Sequence, residues 1–176
     1  MDFHKVIEEQ NSSNYTYLNE RVAVRSVIYK EDRVLLVHSS KGYYKFPGGG
    51  VELKESHEAA LIREIREETG YVNGQVKLKM GTVIERRIDE YDSNALFQMT
   101  SHYYLCELID EYKVNQELDD YEHEEQFTPV WMEPEKAVRQ NQIKIDELNQ
   151  NSFLLRENYV LEKLNQFMKQ NQVNLP

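Results

Sequence analysis

In the stretch 49–71, GGVELKESHEAALIREIREETGY, a glycine, spaced glutamates, an arginine and a second glycine suit the joint handling of a divalent cation and a pyrophosphate. Gly49 is followed after five residues by Glu55, after seven more by Arg63 and Glu64, and then by Glu67, Glu68, Gly70 and Tyr71. Glu64, Glu67 and Glu68 stand three and four residues apart, so they read as one helix face on which like charges repel unless a cation sits among them. Ligation by carboxylates and a backbone carbonyl suits Mg²⁺ or Mn²⁺, whereas zinc favours His and Cys. A Glu-rich helix is in general a solvated face, and Arg63 with Glu67 reads equally as a surface pair of a few tenths of a kcal/mol. The number of fixed positions met at once, glycine turn and apolar stripe included, favours the chemical reading.

A helix must carry these groups. Ser56 is placed to cap its first turn, Glu58 suits the positive end of its dipole, and Gly70 suits a left-handed stop. Leu61, Ile62, Ile65 and Thr69 fall in one sector at about 100° per residue, an apolar stripe for packing on a sheet. Around it, 22–29 and 33–38 read as strands joined by the turn Lys30-Glu31-Asp32, followed by 43–46. Pro47 with Gly48, Gly49 and Gly50 then breaks regular structure. Residues 76–88, 96–108 and 127–132 read as further strands, 133–139 as a short helix, and 152–169 as a longer one within a C-terminal helical segment, 148–170. Helices on opposite faces of a mixed sheet give an α/β class with three layers.

At 176 residues, with neither repeats nor a Pro/Gly/Ser-rich linker, a single domain over 1–176 is expected, residues 1–18 forming an N-terminal extension. Twenty-one basic against 31 acidic residues, a net charge of −10, argue against a nucleic-acid or anionic-membrane surface. An anionic substrate must then be met locally. No apolar run approaches a membrane span and the first twenty residues are too polar for a signal peptide, so a cytoplasmic protein with no membrane partner is expected. The lone Cys106 lies in an apolar run and reads as a buried thiol. The long C-terminal helix is a candidate homodimer interface.

The stretch 49–71 resembles the signature box of the Nudix hydrolases, with Tyr71 where a bulky aliphatic residue is usual. That resemblance implies a Nudix-like α/β/α sandwich with a mixed β-sheet, and cleavage of the pyrophosphate linkage of a nucleoside diphosphate derivative with Mg²⁺, or Mn²⁺ in its place. It implies Glu64, Glu67 and Glu68 as metal ligands with the carbonyl of Gly48, and Glu55 with Arg63 as the supporting pair whose guanidinium holds carboxylates by bidentate hydrogen bonds. The base that deprotonates water is then a box glutamate such as Glu67 or an acid in a loop beyond the sheet. The segment 117–125, ELDDYEHEE, offers Glu122, Glu124 and Glu125, with Glu124 the expected base among them and a solvated loop the plain alternative. Arg25 and Lys45 are candidates for substrate phosphates, an edge or surface role being as open for either. The proline or tyrosine that marks ADP-ribose or dinucleoside polyphosphate specificity some fifteen residues beyond the box is missing, so the substrate stays at class level, a nucleoside triphosphate or a nucleotide sugar such as ADP-ribose. A non-catalytic Nudix-like nucleotide-sensing or binding domain is the alternative function.

Overall fold

A computed structural model describes residues 1–8, 15–148 and 152–173. In chain order the elements are β1 (Phe3–Glu8), β2 (Tyr17–Val27), β3 (Tyr29–Lys30), β4 (Arg33–His38), β5 (Tyr44–Lys45), α1 (His57–Thr69), β6 (Gly74–Ile88), β7 (Ala95–Leu108), α2 (Asp120–Glu124), β8 (Thr128–Met132), α3 (Pro134–Leu148) and α4 (Ser152–Val173). One four-stranded sheet runs β1-β6-β7-β2 and is mixed, with β1 parallel to β6, β6 antiparallel to β7, and β7 parallel to β2. The second, antiparallel, runs β3-β4-β5 with β8 on the other side of β4. A bridge between Ala23 and Gly50 ties the glycine turn to the first sheet.

Strand alternation divides the core. On β4, Val34 and Leu36 pack with Ala137 of α3 and Val160, Leu161 and Leu164 of α4, while Leu35 between them packs with Ala60, Leu61 and Ile65 of α1. This is the period-2 switch of a strand buried on both faces. The fold is therefore an α/β sandwich in which α1 covers one face and α3 with α4 the other. Burying a side chain such as Leu61 or Ile65 contributes about 1.5–3 kcal/mol. Cys106 is buried in the α1 layer, and burial pushes its thiol up to about 12.

The structure departs from the sequence expectations in its peripheral elements. Phe3–Glu8, read as part of an extension, is a strand parallel to β6; only Phe3 of it is buried, so no alternation marks it. Residues 9–14 of the expected extension and 149–151 of the expected C-terminal segment lie outside the described residues. α3 runs to Leu148 rather than ending at residue 139. Its added turns are mainly polar, and their fully buried residue is Asn141, whose amide accepts from the Tyr44 N–H at 2.7 Å and donates to the Tyr44 carbonyl at 2.9 Å. The apolar face of α4 is used in the core through Leu154, Val160, Leu161, Leu164 and Met168. No described helix is long and apolar enough to cross a membrane.

Candidate active site

Ser56 caps α1, its hydroxyl accepting from the Ala59 N–H at 3.1 Å, and Gly70 ends it at φ 78° with its N–H donating to the Arg66 carbonyl at 2.8 Å. The helix buries Ala60, Leu61, Glu64, Ile65, Glu68 and Thr69. The three glutamates thus do not share one open face. At 100° per residue Glu68 lies only about 20° round the helix from Leu61, so it turns into the protein with the apolar stripe. Glu64 lies at the border, and Glu67 alone is half-exposed.

Arg63 gathers the rest. Its Nε and Nη2 donate to the two oxygens of Glu55 at 2.9 and 3.0 Å, its Nη1 to Glu64 at 2.7 Å and Glu67 at 3.0 Å, and its Nη2 also to the Gly50 carbonyl at 3.1 Å. The fork on Glu55 is the bidentate pairing that guanidinium geometry favours. Its hydrogen bonds, with one from the Glu52 N–H, hold the Glu55 carboxyl below the ordinary range. Burial outweighs Arg63 at Glu64 and holds that carboxyl above its ordinary value.

Gly48 and Gly49 permit the approach of the turn to this helix. Gly48 sits at φ 144°, where a side chain would be strained, and a Cβ on it would strike the backbone of Val24 and Arg25. A Cβ on Gly49 would strike the Glu64 carboxylate. The Gly48 N–H donates to Glu68 at 2.7 Å, while the Gly48 carbonyl, the expected metal ligand, accepts from the Arg25 guanidinium. Arg25 is buried against the turn, so the structure places it beside the expected metal ligands and not on the cavity wall. Lys45 is likewise buried, its ammonium 2.7 Å from Glu68. Burial pushes the Glu68 carboxyl up to about 7 against the opposing pull of Lys45.

Beside this cluster opens a cavity of about 430 Å³ lined by Arg21, Gly50, Val51, Glu52, Arg63, Glu64, Glu67, Glu117, Asp119 and Glu122. Glu124 is exposed on α2 and does not line it, whereas Glu122, two residues earlier, is buried and does. The segment read as an acidic loop is in part a helical turn, in which the Glu122 carboxylate accepts from the Asp119 N–H at 3.0 Å. Arg21, Glu117 and Asp119 were not singled out from the sequence. Arg21 shares strand parity with Ala23 and Arg25, a signal hidden by starting the strand at residue 22 rather than 17.

Six of the lining residues are acidic and two basic, so a polyphosphate needs an added cation here. The donors suit a hard divalent ion: all are oxygens, and Glu64 and Glu67 both border the cavity and touch one Arg63 nitrogen. Among the described residues no three acidic, histidine or cysteine side chains are gathered as a ready metal cage. Arg25, Lys45 and Arg63 hold the oxygens instead; Glu64 and Glu67 each give Arg63 one carboxylate oxygen, which leaves the other able to ligate.

A family model of the NUDIX domain matches residues 19–153. Over 73 residues the chain is 40% identical to an ADP-ribose pyrophosphatase of Methanocaldococcus jannaschii, covering 39% of this chain and 43% of that protein. Over 111 residues it is 31% identical to a probable DHNTP pyrophosphohydrolase of Lactococcus lactis subsp. cremoris, covering 59% of this chain and 67% of that one. The chain thus spans less than half the length of the first of these relatives and about two thirds of the second. A solved NUDIX hydrolase from Nitrosomonas europaea shares the fold with a TM-score of 0.51 at 19% identity, over 70% of this chain and 79% of that one.

Proposed function

The chain belongs to the NUDIX domain family, and from that premise we propose that it is a Mg²⁺-dependent hydrolase. Its substrate is a nucleoside diphosphate derivative, a nucleoside triphosphate or a nucleotide sugar such as ADP-ribose, cleaved at the pyrophosphate linkage. The observation that carries this reading is the acid-lined cavity onto which Arg63 presents Glu64 and Glu67. Pyrophosphatase and pyrophosphohydrolase names among the relatives support the substrate class.

Glu64 and Glu67, with the Gly48 carbonyl, are the groups that would hold the ion. A divalent ion bound there neutralises charge on the phosphate oxygens and acidifies a bound water. Arg63, fixed by Glu55, sets the spacing of the two carboxylates. Arg21 on the cavity wall offers a cation to the substrate phosphates. Glu122, buried at the cavity's edge, is placed to accept the proton of the attacking water, with Glu67 as the box alternative.

Assay of ADP-ribose, nucleotide sugars and nucleoside triphosphates with Mg²⁺ and with Mn²⁺, with product identification, tests this. The expected products are two phosphate-bearing fragments from at least one of them, or a nucleotide with released phosphate or pyrophosphate. Activity undiminished after thorough chelation refutes the metal reading, and binding of nucleotides without turnover would make the chain a sensing domain.

A further inference from the structure

Lys45 is an unusual lysine. Its side chain is 8% exposed, and its ammonium lies 2.7 Å from Glu68 and 3.8 Å from Glu122. It sits 4.3 Å from the centre of the Phe127 ring, and donates to the Tyr121 hydroxyl at 3.4 Å. The opposite side of this chamber is set by the same groups: the Tyr121 hydroxyl also donates to Glu122 at 3.0 Å, and Phe127 and Tyr121 stack edge to face. Two carboxylates from α1 and α2 thus face one cation delivered by β5, with an aromatic floor.

We propose that Lys45 is a resident cation of the active site: its ammonium fills the space between Glu68 and Glu122, so Glu68 acts through Lys45 and divalent ions bind only toward Glu64 and Glu67. The inference rests on the reading of Glu64 and Glu67 as metal ligands. The chamber suits an ammonium and not a second divalent ion. Mg²⁺ demands a near-octahedral shell of oxygens and keeps several waters, whereas the ring of Phe127 supplies no oxygen and attracts an ammonium through its quadrupole. A fixed charge at this distance also opposes entry of another cation. Without it, Glu68 and Glu122 would face one another as buried like charges, the condition that recruits a metal ion. The simpler view, that Lys45 only neutralises Glu68 for stability, predicts no effect on how many ions bind.

The number of Mn²⁺ ions bound per chain separates the two, measured on the full chain by calorimetry and by the spin resonance of free Mn²⁺. Wild type, Lys45→Met, Glu68→Gln and the double variant are compared, with folding checked by circular dichroism. The expected result is one additional ion in Lys45→Met, lost again in the double variant, and an unchanged number in Glu68→Gln alone. Loss of an ion in Glu68→Gln alone shows direct ligation and overturns the proposal, as does a Lys45→Met protein that folds and binds no additional ion. Should Lys45→Met not fold, Lys45→Gln takes its place and is judged by the same count: an additional ion supports the proposal, an unchanged number overturns it, and a lost ion in Glu68→Gln overturns it in either case. Wild type that binds no Mn²⁺ overturns the metal reading itself, and this inference with it, which distinguishes the two failures.

Discussion

Replacing Arg63 by lysine keeps a positive charge on α1 and removes the planar fork. Arg63 donates five hydrogen bonds, to Glu55 twice and to Glu64, Glu67 and the Gly50 carbonyl once each, at 2.7–3.1 Å. An ammonium has three donors on one atom, so at least two of the five are lost, and the pair on Glu55 cannot be reproduced in parallel. Hydrogen bonds to charged groups contribute about 1.5–3 kcal/mol each. The Arg63 side chain is 25% exposed, so the lower value applies after solvent screening, giving about 3 kcal/mol in all. If the loss falls on the spacing of Glu64 and Glu67 in the transition state, turnover falls about 100-fold, at 1.36 kcal/mol per decade. Steady-state kinetics on the substrate identified by the panel, with Mg²⁺ saturating, measures this as a drop in kcat with KM little changed. A thermal melt shows how much of the loss is stability instead. Wild-type kcat in Arg63→Lys would reduce the network to a surface feature and refute the positioning role.

Gly49→Ala should lower turnover at least tenfold while the fold survives, because the new methyl strikes the Glu64 carboxylate and must displace it; circular dichroism and kcat together test it, and unaltered kcat would show that Glu64 has room to move. Glu122→Gln should depress turnover strongly and flatten the acidic limb of the pH–rate profile, whereas Glu124→Gln, on an exposed position, should stay close to wild type; the reverse result would return the base to the sequence-based choice. The Glu55 carboxyl is held below its ordinary 4.5 chiefly by the hydrogen bond from Arg63. A depressed folded-state pKa adds stability above the unfolded value and loses it as pH falls through the folded one. Urea midpoints followed from about pH 6 down to about pH 3 should therefore fall less steeply in Arg63→Met than in wild type, and equal slopes would remove Glu55 from the acid sensitivity.

The helix that carries the site was legible because its signals are local. Ser56 and Gly70 cap it as read, and Leu61 and Ile65 lie on its buried face. The inward turn of Glu68 is also written in the spacing, since the same 100° per residue that groups Leu61 with Ile65 puts Glu68 beside them, although a carboxylate by type suggests the open face. Glu122 and Glu124 could not be told apart while 117–125 read as loop, for only a helical turn sends residues two apart to opposite sides. The Lys45–Glu68 pair was out of reach in a different way. It joins β5 to α1 across a break of regular structure, and no periodicity in sequence reports which side chains meet across layers. Nor does any local pattern announce β1, which pairs residues 3–8 with residues 81–86 far along the chain.

The two-residue β5 is too short to fix Lys45 and the Gly48 carbonyl by its ladder alone, which offers only the pairs Val37 with Lys45 and His38 with Tyr44. Side chains from the far layer complete it. Asn141 of α3 closes both backbone groups of Tyr44, and the Glu157 carboxylate of α4 accepts from the Phe46 N–H at 2.8 Å. Glu157 is fully buried and is itself held by Arg156 at 2.8 Å, whose other nitrogen reaches Glu85 on β6. Removing one member of such a buried network costs about 3–5 kcal/mol, because it strands the partner charge. The polar groups that α3 and α4 bury between apolar neighbours therefore have a directional task. They pin Tyr44 and Phe46 from one face of the sandwich, so that Lys45 between them and the glycine turn after them meet α1 on the other.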